Sequence, residues 1–153
     1  MTQEDKELLL NDLCGRLQNG VIGRCEIDAS YDTSFDTIFQ THKFNAEVYG
    51  LKEDSLFVYP LIEDNDEQTF AEEEVADGID ILDFKPYLFP LSSMTDAEKE
   101  EYCQLQQRVI YNSKGPVNED VTKYINWCYK KHLDINNLIP IGLAIDATGL
   151  NIY

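Results

Sequence analysis

At 153 residues, with 43% hydrophobic and 11% aromatic content, the chain suits one domain whose core forms without disulfides or metal, and its composition excludes a wholly disordered polymer. Twenty-nine acidic residues against 12 basic ones give a formal net charge of −17. That field disfavours direct nucleic-acid binding unless basic residues cluster, and the densest group, Lys123, Lys130 and Lys131, shares its segment with Glu119, Asp120 and Asp134.

The N-terminal stretch predicts a helix capped by Thr2, with Glu4 and Asp5 complementing its dipole. Leu10, Leu13, Cys14 and Leu17 fall on one face, and Asn19-Gly20 closes it. Four segments then carry the β-branched and aromatic content of strands: 21–28, 34–42, 44–51 and 55–62. In the third, Phe44, Ala46 and Val48 alternate with Asn45, Glu47 and Tyr49, the pattern of a sheet covered on one face. Tyr49 and Tyr59 are assigned to the open face. Residues 63–78, EDNDEQTFAEEEVADG, read as an acidic mobile loop, and IDILDF (79–84) resumes a strand-like run.

The segment KPYLFPLSSMTDAEKEEY (85–102) follows. Pro86 and Pro90 argue against a helix or central strand across 85–91. Thr95 with Glu98 forms a capping box for the next helix, one face of which carries Glu98, Tyr102, Leu105 and Val109. Asn118 is expected to cap a third helix, with Glu119 and Asp120 in its first turn and Lys130, Lys131 and His132 near its end. Trp127 lies beside its apolar stripe of Val121, Tyr124, Ile125 and Cys128. The expected fold is α+β: an N-terminal helix, an antiparallel meander of about four to five strands, and two C-terminal helices packed on one face, all in a single domain spanning 1–153.

No spacing in the chain carries catalytic or metal chemistry. The two histidines, His42 and His132, have no nucleophile partner in sequence. Cys14, Cys25, Cys103 and Cys128 show no ligand spacing and read as reduced core or boundary residues. Asp64 and Asp66 begin an EF-hand-like spacing, but Thr69 and Val75 break it. Ser92-Ser93 reads as turn and cap chemistry, and Asp146-Ala147-Thr148-Gly149 lacks protease spacing. No catalytic residue, metal site or cofactor is therefore expected. No apolar run reaches the roughly 20 residues of a membrane span, and the acidic N-terminus lacks a secretory pattern, so the expected location is the cytoplasm.

KPYLFPLSSMTDAEKEEY resembles a KPYLRPMSSMTEEEKEE-like motif of a family of short acidic proteins from gut Bacteroidales, often carried in phages and other mobile elements, with no assigned activity. KELLLNDLCGRLQNGV and INWCYKKHLDINNLIPIGLAIDA resemble that family's first helix and its C-terminal region, so the likeness covers roughly half the chain. Phe89 and Leu91 stand where the motif has arginine and methionine, and Lys131 where the family has a histidine. The resemblance carries no function; the expected role is a non-enzymatic interaction protein of phage or mobile-element origin that binds a host protein, the acidic surface fitting a basic partner, with mimicry of nucleic acid as its sharper form. Expected contacts are Tyr49, Tyr59, Asp64, Asp66, Glu67, Glu72, Glu73 and Glu74. The alternative is a small-molecule binder or small enzyme with a pocket between sheet and helices near Tyr102, Trp127 and His132.

Overall fold

The computed structural model describes residues 2–32, 37–53, 55–62, 71–72, 75–111 and 118–153, with the side chains of 29–32 and 37–40 left aside. Helix α1 (Gln3–Arg16) starts at a capping box in which Asp5 N–H donates to Thr2 Oγ1 and Thr2 N–H donates to Asp5 Oδ2. After a 3-10 turn the chain reverses at Gly20, whose φ of +69° suits a residue without Cβ. The strands are β1 (Val21–Asp32), β2 (Thr37–Lys52), β3 (Ser55–Pro60), β4 (Ile79–Asp80), β5 (Phe84–Leu88) and β6 (Ile145–Asp146). They form one sheet in the order β4-β3-β2-β1-β5-β6. Helices α2 (Asp96–Tyr111) and α3 (Asn118–Lys130) complete an α+β fold.

Alternation sets the register. Val21, Gly23 and Cys25 point inward opposite Val48, Ala46 and Phe44, while Arg24 and Glu26 face out opposite Asn45 and Lys43. The core gathers these inward residues with Leu9 and Leu13 of α1, Leu56 and Val58 of β3, and Leu138 and Leu143 of the C-terminal segment.

Several expectations are corrected. The two strands expected over 34–42 and 44–51 are one strand, because no Gly or Pro interrupts Thr41-His42-Lys43 and Lys43 pairs with Glu26 across the hairpin at 3.1 Å. Pro86 does lie within a strand. It stands opposite Gly23 at the last residue of β5 that pairs with β1, and from Tyr87 the strand turns to β6 instead. The missing N–H therefore falls at a change of partner, where the ladder tolerates it. That new pairing is parallel, so the sheet is mixed rather than purely antiparallel. Finally, α1 and the 138–144 segment supply the core residues over the sheet, whereas α2 buries no residue and packs on α3.

The thiols divide. Cys25 and Cys128 are buried, but Cys14 and Cys103 are exposed, correcting their assignment to the core or its boundary. Burial pushes the Cys25 thiol up to about 12 and the Cys128 thiol to about 11, which keeps both in the unreactive protonated form. No helix is long and apolar enough to cross a membrane among the described residues.

Candidate functional site

The end of α3 builds an unusual corner. His132 N–H donates to the Tyr129 carbonyl and Leu133 N–H to the Cys128 carbonyl, the paired bonds of a Schellman cap. The residue at the centre of such a cap adopts left-handed backbone and is usually glycine. Here it is His132, with φ of +51°. A Cβ in that region costs about 1 kcal/mol. The corner is held from the other side by β5: Phe89 N–H donates to the His132 carbonyl and Asp134 N–H to the Phe89 carbonyl, at 2.9 and 2.8 Å.

The His132 side chain is 8% exposed and stacks on Tyr153, with ring centroids 3.7 Å apart and planes 14° from parallel. Burial, reinforced by the nearby Arg16 guanidinium, holds the imidazole pKa down at about 4, so it is neutral at neutral pH. Its Nδ1 is buried with no hydrogen-bond partner among the described residues. Tyr153 in turn plugs the point where β5 leaves β1. Its hydroxyl accepts from Ile22 N–H and donates to the Tyr87 carbonyl at 2.9 Å. Burial raises that hydroxyl to about 12.

These segments enclose a crevice of about 340 Å³. Its apolar lining is Phe89, Met94, Leu133 and Tyr153. Its polar rim is Ser93, Glu98, Lys130, Lys131 and His132. Glu98 closes the α2 capping box, its Oε2 accepting from Thr95 N–H at 2.9 Å and its Oε1 from Lys131 Nζ at 3.0 Å. The Thr95 backbone bond, then the Lys131 ammonium, hold its carboxyl down at about 2. Lys130 makes no ion pair among the described residues.

Beneath the crevice lies a buried ion pair. Arg16 Nε donates to Asp12 Oδ2 at 2.6 Å and Nη2 to Asp12 Oδ1 at 2.9 Å, with both side chains fully buried. Nη2 also donates to the Leu133 carbonyl at 2.7 Å, Asn136 Nδ2 donates to Asp12 Oδ1, and the guanidinium lies 4.6 Å over the Tyr129 ring. The pair thus ties α1 to the loop after α3.

The residues expected to line a pocket divide between two places. Tyr102 and Trp127 pack in the α2–α3 seam, where Tyr102 meets Tyr124 hydroxyl to hydroxyl at 2.9 Å and Trp127 ring to ring at 6.3 Å. His132 lines the separate crevice. On the outer face of the sheet, Tyr49 and Tyr59 are 68% and 52% exposed. Phe57 lies beside Tyr49 at 6.3 Å, and Glu47 faces Tyr59 across the ladder. Glu72 is exposed, whereas Asp64, Asp66, Glu67, Glu73 and Glu74, with most of the 63–78 loop, lie outside the described residues.

Sequence reasoning missed Asp12, Arg16, Phe89 and Tyr153. Only the first two left a signal, an acid and a base four residues apart among leucines. No protein-family model matches the chain, and comparison with curated proteins and with solved structures gives no match.

Proposed function

We propose that the chain is a non-enzymatic interaction protein of the phage or mobile-element type that binds a basic host protein through the outer face of β2 and β3. The carrying observation is the pair Tyr49 and Tyr59, large rings left mostly open on one sheet face with Glu47 beside them. Tyrosine gives wide contact area at low conformational cost, and its ring face accepts Arg and Lys side chains. A net charge of −17 steers a basic partner and repels an acidic one.

The test is capture of partners from a lysate of the cells that carry the protein, at low and high salt. A basic protein held by the wild type, weakened by salt and released by Tyr49→Ala with Tyr59→Ala is the expected result, with a loss of about tenfold or more in affinity. Equal retention by the double variant sinks this interface. A partner whose release needs the carboxylates but not the tyrosines points instead to mimicry of nucleic acid.

A second reading, a small-ligand binder, is favoured by one observation: His132 holds left-handed backbone at the lining of the 340 Å³ crevice, and strained non-glycine backbone concentrates at binding sites.

A further inference from the structure

The crevice beside His132 has a chemistry that selects its ligand. It shares no residue with the tyrosine face of β2 and β3, so the two sites are independent. Its volume of about 340 Å³ is at the lower end for small-molecule sites and suits one ring with a short substituent. Phe89, Met94, Leu133 and the Tyr153 ring supply flat or deformable apolar surface. The ionised groups on the rim are two ammoniums and one carboxylate. The carboxylate of Glu98 is already engaged by Lys131 and by its own helix cap, so it offers little to a ligand cation. Lys130 is the charge left over. The rim is therefore locally positive on a chain that is elsewhere strongly acidic.

We propose that the crevice binds a small aromatic monocarboxylate, its ring against Phe89, Met94 and Leu133 and its carboxylate on the Lys130 ammonium. The proposal rests on reading the crevice as a ligand site. It explains why a histidine occupies a backbone position that glycine fills more cheaply. Its ring, stacked on Tyr153, forms part of the cavity wall.

Phenylacetate is the probe, followed by NMR on the full chain. Met94 is one of only two methionines and His132 one of only two histidines, so their signals are readily assigned. Saturable shifts at the Met94 methyl and the His132 ring are expected, with Kd on the order of 1 mM, as befits so small a ligand. Phenylacetamide and benzylamine should bind at least about tenfold more weakly, the worth of one charge-assisted contact. Lys130→Gln, an exposed change at a helix end, should weaken phenylacetate about fivefold while leaving the amide-proton spectrum intact; Lys123→Gln should not. No saturable shift at Met94 or His132 with any of the three probes removes the ligand site itself. Equal binding of phenylacetate and phenylacetamide, or indifference to Lys130→Gln, keeps a ligand site but overturns the carboxylate.

Discussion

His132 carries two costs at once, left-handed backbone and a buried imidazole, and the second makes a pH prediction. Its pKa falls from the ordinary 6.5 to about 4 on folding, so between those values the unfolded chain binds more protons. The associated stability is fully present above pH 6.5 and drains away as pH falls to about 4, an effect on the order of 3 kcal/mol. His132→Asn tolerates the same backbone and does not titrate. In urea titrations across that window, the wild type should lose stability with acidification and the variant should show a much flatter profile. An unchanged slope would place the acid sensitivity elsewhere. Glu98 does not confuse the reading, since its depressed pKa of about 2 keeps its contribution until pH falls below about 4.5. Gly15 is a second residue decided by contact. A Cβ there would collide with the Tyr129 ring. Alanine gains about 1 kcal/mol of helix propensity but overpacks a fixed aromatic at about 1–3 kcal/mol. Gly15→Ala should therefore lower stability by about 1 kcal/mol, read from the denaturant midpoint; a stabilised variant would mean that Tyr129 moves aside freely.

At the scale of elements, α1 shows how far periodicity reaches. The expected stripe was Leu10, Leu13, Cys14 and Leu17, whereas the buried residues are Leu9, Asp12, Leu13 and Arg16. Both stripes have helical spacing. The apolar residues alone favour the first, because a charged pair counts against burial until its partners are known. Those partners, the Leu133 carbonyl, Asn136 and the Tyr129 ring, lie more than a hundred residues away. Arg16→Ala should cost about 3–5 kcal/mol, since it strands the Asp12 carboxylate in the interior. Asp12→Leu combined with Arg16→Met should cost less than Arg16→Ala alone, because no buried charge is left unpaired. Additive losses in the double variant would contradict this account. The helix starts were more legible. The Thr95–Glu98 box appears as read, because a cap depends on residues within one turn of each other. The break expected at Pro86 failed for the converse reason: whether a strand tolerates proline depends on its neighbour, and β5 changes neighbour there.

Over the whole molecule the acidic excess dominates. A net charge of −17 on a compact body is self-repulsive, and salt screens it over a Debye length that shrinks from about 14 Å to about 4 Å between roughly 0.05 and 0.5 M. The melting temperature should rise by several degrees across that range, at about 2–4 °C per kcal/mol for a chain of this size. A flat or falling profile would show that local ion pairs outweigh the global repulsion.

By itself the sequence determined the α+β class, the caps at Thr2 and Thr95 and the alternating faces of β2. Each of these rests on residues within a few positions of one another, where spacing and side-chain chemistry act directly. The tertiary structure decided the rest: the mixed pairing of β5, the burial of Asp12 with Arg16, and the meeting of Phe89, His132 and Tyr153 around one crevice. Those depend on contacts between residues 21 to 124 positions apart, and no local pattern records which distant partner will satisfy a buried charge or stack on a strained ring.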